Sequence, residues 1–234
     1  MDLKENYLNV EEKILRACMK AGRAREEVTL IAVSKTKPIE MMEEMASFGQ
    51  TVFGENHVQE IVEKYETHPE YTYHMIGHLQ RNKVRQVVGK VAMIHSVDSL
   101  RLAEEIAKES EKRGIVTDIL IEINAGNEES KYGFTFEEAE ERIREIAALH
   151  GIHVCGLMCV APYVQDPEEN RPIFRKMYEL AVDIRAKNID NVEANILSMG
   201  MTNDYETAIS EGATMVRVGT GLFGARDYTK GVIK

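Results

Sequence analysis

Two hydrophobic periods share this chain. Leu8, Ile14, Leu15, Cys18 and Met19 recur near helical spacing among charges and Gly22 ends the run, which predicts a leading helix. From residue 29 the pattern changes to short β-rich runs separated by amphipathic ones. Strands are predicted at 29–35, 51–54, 71–76, 93–96, 117–124, 152–160, 195–198 and 215–218. Helices are predicted at 39–48, from the second strand through Tyr65, and at 81–88, 100–112, 135–149, 168–187 and 203–211. Pro38 suits a first helical turn, and Thr135 with Glu138 has capping-box spacing. Strand–helix alternation implies parallel β-α-β units. Eight of them predict an α/β fold, a closed (β/α)8 barrel of the TIM type with the leading helix as an extra. An open doubly wound sheet is the alternative. No linker, repeat or low-complexity stretch interrupts residues 1–234, so one domain is expected, at a length normal for such a barrel (about 250 residues).

Composition narrows the function classes. Apolar residues make up 44% and charged residues 29%, enough to bury a large core. A formal charge of −10 argues against nucleic acid or an anionic membrane as partner. Residues 1–10 are charged and lack the apolar core of a signal peptide, and no apolar run approaches the roughly 18 residues of a membrane span. Three cysteines, Cys18, Cys155 and Cys159, are expected to be buried reduced thiols in a reducing cytoplasm. Cys155 and Cys159 lack zinc-cluster spacing, and His74 and His78 flank a strand end without a carboxylate at helical spacing, so no metal centre is expected. Met158 and Cys159 read as barrel core.

Chemistry in such a barrel sits at the carboxyl ends of the strands. Those ends read Ser34-Lys35-Thr36-Lys37-Pro38, Gly54-Glu55-Asn56-His57, Gly77-His78-Leu79-Gln80, Ser198-Met199-Gly200-Met201-Thr202 and Arg217-Val218-Gly219-Thr220-Gly221. Glycines and hydroxyls after strands seven and eight are what a phosphate needs, because its oxygens must approach backbone N–H groups closely. Ordinary tight turns are the alternative. Residues 219–224 also match G-x-G-x-x-G, but a dinucleotide fold needs a further helix, strand and acidic residue, and only residues 225–234 follow. Lys35 is in phase with Ile31 and Val33. An amine among apolar atoms loses charge stabilisation and can attack an aldehyde to form a Schiff base. A solvated lysine at a strand tip fits the position equally well. Lys37, next to Pro38, belongs to the loop. Arg217, inside the last strand, requires either a salt bridge or an anionic or ring-nitrogen ligand.

Taken in order, Val33-Ser-Lys35-Thr-Lys-Pro, Phe53-Gly-Glu-Asn56, Ile76-Gly-His78-Leu-Gln-Arg-Asn-Lys83, Gly156-Leu-Met158, Ser198-Met-Gly-Met and Arg217-Val-Gly-Thr resemble the pyridoxal phosphate homeostasis proteins over nearly the whole chain. The sequence departs at Lys131–Gly133, away from the expected cofactor site. The resemblance implies a barrel like the cofactor domain of alanine racemase, with pyridoxal 5'-phosphate held as a Schiff base on Lys35. It implies that Ser198, Met199, Gly219 and Thr220 lie at the phosphate, Arg217 at the pyridine ring or phosphate, and Asn56 near the ring edge. Two activities follow: a carrier that buffers the cofactor and delivers it to apo-enzymes, or an amino-acid racemase. An arginine at the ring nitrogen weakens the ring as an electron sink. Racemases of this barrel take a second base from an added domain, for which no residues remain here. The carrier is therefore the expected activity, in a cytoplasmic monomer or weak dimer.

Overall fold

The structure is a computed structural model that describes residues 2–126 and 132–224. Eight parallel strands close into a barrel in sequence order: β1 (Thr29–Val33), β2 (Val52–Glu55), β3 (Thr72–Met75), β4 (Met93–Val97), β5 (Thr117–Ile123), β6 (Ile152–Cys159), β7 (Val192–Met201) and β8 (Met215–Val218). Closure pairs β8 with β1, setting Arg217 beside Ile31 and Val218 beside Ala32. The expected closed barrel is thus the fold, and the open sheet is ruled out.

Helices α1 (Leu3–Lys20), α2 (Ile39–Ser47), α3 (Val58–Thr67), α4 (Val84–Val87), α5 (Leu100–Arg113), α6 (Ala139–Ala147), α7 (Arg171–Ala186), α8 (Tyr205–Ser210) and α9 (Thr220–Phe223) surround it. The leading helix α1, capped by Asp2, buries Leu3, Val10, Ile14, Ala17 and Cys18. It packs on α2, α8 and α9, where a full-length eighth helix would lie, because α9 is only one turn long. Ahead of α6 the predicted capping box forms: the Thr135 hydroxyl donates to Glu138 (2.8 Å), while the Glu138 N–H donates back to Thr135 Oγ1 (3.3 Å).

Side chains divide by strand alternation. Leu30, Ala32, Phe53, Tyr73, Ile94, Ile119, Ile121, Val216 and Val218 face outward into one apolar shell shared with the helices. Met93, Leu120, Cys155 and Met158, with Ile196 and Met215, fill a separate cluster inside the barrel. Several predicted boundaries shift, among them the 135–149 helix, which is α6 over Ala139–Ala147. β1 ends at Val33, two residues early. The predicted 81–88 helix begins as a 3-10 turn before α4. β7 runs ten residues, well past the predicted 195–198. Cys18, Cys155 and Cys159 are buried and form no disulfide among the described residues. Lys131, at the edge of the expected sequence departure, and residues 225–234 lie outside the described residues.

Candidate cofactor site at the carboxyl end of the barrel

Lys35 is placed by a turn rather than by strand alternation. The ladder continues through the Ser34 N–H, which donates to the Gly54 carbonyl, and then the Lys37 N–H donates back to the Ser34 carbonyl (3.0 Å). Thr36 sits at φ +62°, in the left-handed region that is uncommon outside glycine. A charged network on β2 and α3 holds that turn. The ammonium of buried Lys64 donates to the Ser34 carbonyl (2.9 Å) and to Glu55 Oε1 (2.6 Å). The Ser34 hydroxyl donates to the same Glu55 oxygen (2.6 Å), and the Thr36 N–H donates to Glu60 (2.7 Å). Lys35, itself half-buried, is therefore bracketed on both sides by side chains of neighbouring elements. Burial pushes the Glu55 carboxyl above its usual range against the opposing pull of Lys64 and Ser34.

Closure of the barrel brings the glycine turn alongside. Lys37 donates from Nζ to the carbonyls of Phe223 (3.2 Å) and Gly224 (3.4 Å), tying the first loop to α9. A Cβ built on Gly219 would lie 3.4 Å from the Val33 side chain. The loops after β7 and β8 are joined as well, since the Gly221 N–H donates to Thr202 Oγ1 (3.3 Å). Asp204 accepts from the Met201 N–H (2.7 Å) and from Asn170 (2.8 Å), fixing the end of β7. Asn56 follows β2, half-buried. Gly77 lies against it so closely that a Cβ would come within 2.6 Å of the Asn56 Cα and carbonyl oxygen. Asp98 accepts from His78 Nδ1 (2.9 Å), with Tyr132 stacked on the His78 ring at 3.8 Å.

Beneath these loops runs a buried polar chain. The guanidinium of Arg217 donates to the carbonyls of Ser198 (2.7 Å) and Cys159 (2.7 Å) and to Ser198 Oγ (2.6 Å). Ser198 Oγ is also 2.9 Å from His95 Nδ1, and His95 Nε2 is 2.8 Å from His74 Nδ1. Arginine only donates, so Ser198 Oγ accepts from Arg217, and each ring nitrogen of the His95–His74 pair is within hydrogen-bond distance of the next group in the chain. Burial keeps both rings neutral, drawing His74 down to about 4 and His95 well below its ordinary value. Desolvation lowers Arg217 too.

Of the residues expected at the cofactor, Lys35, Asn56, Gly219 and Thr220 ring the carboxyl mouth. Ser198 and Arg217 meet one another one layer down. The Met199 side chain is fully buried in the outer apolar shell, so only its backbone faces the β7 loop. His95, Glu55 and Lys64 had no assigned role in the sequence, yet they organise the floor and the Lys35 turn. Lys64 does carry a signal: it lies three residues after Ile61, on the buried stripe of α3.

Glu122, inside β5, gives this mouth a pH response. Burial, reinforced by Asp98, pushes its carboxyl from 4.5 up to about 7 despite Arg217. The folded state therefore holds the proton more tightly than the unfolded chain. That stability is complete below about pH 4.5 and is lost as pH rises through 7, roughly 3 kcal/mol in all. Glu122→Gln is expected to flatten the profile, matching the parent near pH 4.5 and exceeding it by up to about 3 kcal/mol above pH 7. Urea unfolding of cofactor-free protein across that range checks this, and parallel profiles for the two proteins would refute it.

Comparison with known proteins agrees with this fold. The family described as alanine racemase, N-terminal domain, matches residues 11–227. A pyridoxal phosphate homeostasis protein of Aquifex aeolicus is 45% identical over 230 residues, covering 97% of this chain and all of that one. An uncharacterised protein of Bifidobacterium adolescentis has a crystal structure that superposes with a TM-score of 0.88 at 35% identity, covering 94% of both chains. The structure of PipY from Synechococcus elongatus with pyridoxal phosphate bound superposes at 0.78 with 31% identity, covering 91% of this chain and all of that one. Identity at these levels along essentially the full length, on the same barrel and in the order expected from the sequence, places this chain in the pyridoxal phosphate homeostasis protein family, within the alanine racemase N-terminal domain family.

Proposed function

We propose that this chain binds pyridoxal 5'-phosphate as a Schiff base on Lys35 and serves to buffer the cofactor and deliver it to apo-enzymes. The observation that carries the reading is the juxtaposition across the β8–β1 seam. A lysine in a turn held from both sides follows Val33, against which Gly219 of the glycine turn packs. When bound, pyridoxal phosphate supplies an aldehyde that an amine captures and a phosphate that N–H donors can hold. The chain's own contribution is placement. Lys64, Glu60 and Glu55 hold the Lys35 turn, Lys37 draws the glycine turn towards it, and the Arg217–Ser198–His95 chain forms a buried floor.

Gly219 supports a ligand role more directly than any hydroxyl nearby. Its φ of −111° is open to any residue, and a Cβ there would make only ordinary contacts. Neither its backbone angle nor its contacts require glycine, which supports a role in letting a phosphate approach the backbone N–H closely. Gly219→Ala is accordingly expected to fold normally but to bind pyridoxal phosphate at least about tenfold more weakly, some 1.4 kcal/mol. Equilibrium titration checks the affinity, and unchanged binding would refute that role.

A non-catalytic role is favoured by the names of the relatives, which are homeostasis proteins. Incubation with each amino acid in heavy water tests it. Deuterium at the α-carbon at around one turnover per second or faster would establish an enzyme instead. Faster cofactor transfer to an apo-enzyme than free release allows would support delivery. Three buried thiols without a disulfide fit a reducing cytoplasm. Among the described residues no helix is long and apolar enough to cross a membrane.

A further inference from the structure

A second cluster of chemically active side chains lies at the opposite, amino-terminal mouth of the barrel. Register sets Asp118 of β5 beside His153 of β6. The ladder then slips: Ile119 faces Val154, but Leu120 faces Gly156, leaving Cys155 as an extra residue. The β6–β7 ladder slips at the same place, with Val154 on Val192 and Gly156 on Ile196. Bulges are rare between parallel strands, and they re-aim side chains. Here Cys155 turns into the barrel beside Met93, Leu120 and Met158, while Val154 and Leu157 face the outer shell. His153, Cys155 and Asp118 are thereby brought to one point. His153 Nδ1 is 3.2 Å from Asp118 Oδ1 and 3.4 Å from Cys155 Sγ, and one donor atom from each lies within 4.8 Å of the others.

Those separations are close to the edges of a tetrahedral zinc site. Bond lengths of about 2.0–2.3 Å put neighbouring ligand atoms about 3.3–3.8 Å apart. The other face of the imidazole is attended too: Glu193, at the start of β7, has a carboxylate oxygen 3.8 Å from His153 Nε2. A carboxylate behind a ligating histidine fixes its tautomer and raises its basicity. Cys155 is buried on an apolar floor, while Asp118 and His153 are half-exposed and open to solvent.

We propose that Asp118, His153 and Cys155 bind a divalent transition-metal ion of the zinc class, with Glu193 orienting the histidine from behind. Thiolate, imidazole and carboxylate together suit zinc or cobalt rather than calcium or magnesium, which take oxygen ligands alone. Binding releases the thiol proton to solvent, and water takes the fourth position. The ion ties β5 to β6 at the face of a barrel that serves stability rather than chemistry. Neither the ligands nor their geometry involve the Lys35 site. The pairing of Cys155 with Cys159, the spacing visible in the sequence, plays no part, because the bulge sends the two to opposite faces.

The untagged full chain, stripped of metal, is titrated with Co2+. One equivalent is expected to produce a thiolate-to-cobalt charge-transfer band in the near ultraviolet that Zn2+ displaces. The band should vanish in Cys155→Ser and persist in Cys159→Ser. Zinc affinity, read by competition with a chromophoric chelator, is expected to fall roughly ten- to a hundredfold in Glu193→Gln. Glu193 is 60% exposed, so that variant retains the fold, and Asp118→Asn gives a second readout should Cys155→Ser not fold. Absence of a thiolate band, or its survival in Cys155→Ser, would overturn the site. Unchanged zinc affinity in both Glu193→Gln and Asp118→Asn would do the same.

Discussion

Lys35→Ala is expected to yield a protein that folds but carries no borohydride-reducible cofactor. The turn around residue 35 is held through its neighbours, by the Ser34 carbonyl and hydroxyl and the Thr36 N–H. Alanine preserves all of these, so the turn itself is expected to form. What disappears is the amine. Cofactor affinity should then rest on the phosphate and ring contacts alone, a loss of about a hundredfold or more, roughly 3 kcal/mol. The checks are the absorption spectrum of the purified protein before and after borohydride, and peptide mapping of the reduced label. In the parent the label should map to the peptide containing Lys35. A reduced adduct at full occupancy in Lys35→Ala would move the Schiff base to another lysine and overturn the assignment. Buried Lys64 would be a poor alternative, because its ammonium is committed to Glu55, Glu60 and the Ser34 carbonyl.

The strands were legible because each is a short β-rich run between helical periods, and eight of them leave little besides a closed barrel. Lys35 was legible as a candidate, but for a reason the structure replaces. Phase with Ile31 and Val33 is irrelevant once the strand ends at Val33, and a positive-φ turn at Thr36 decides where the amine stands. Such a turn has no period to read. His95 was missed because a histidine in a buried strand looks like one more core residue, and its partners come from β3 and β7, 21 and 103 residues away. Glu55 stood within a quoted run, yet its pairing with Lys64 depends on how α3 folds back over β2. The glycine turn after β8, by contrast, is a local run of glycines and hydroxyls, so its place at the carboxyl mouth could be read directly. The β6 bulge could not, since it arises where β7 presses on Gly156.

Gly156→Ala is expected to be the most damaging single change, and Gly219→Ala shows why glycine alone does not explain it. A Cβ on Gly156 would lie 1.9 Å from the Ile196 carbonyl oxygen and 2.7 Å from its carbon. Both atoms are backbone, so no side-chain rotation relieves the clash. The strands must part by more than an ångström, yet in a closed barrel each is held on both edges. The slip that turns Cys155 inward is built on that approach, and β7 carries Ser198, the partner of Arg217. Overpacking usually costs about 1–3 kcal/mol, but a backbone-on-backbone overlap of this size belongs with the exceptional losses above about 4 kcal/mol. Thermal and urea unfolding should therefore show a collapsed transition or no folded protein. At Gly219 the same methyl group meets Val33 at 3.4 Å, an ordinary contact, and stability should hold while cofactor affinity falls. A stable, fully cooperative Gly156→Ala would mean that β6 and β7 can separate freely. In that case the bulge, and the cluster at Asp118, His153 and Cys155 that depends on it, would not be held by packing.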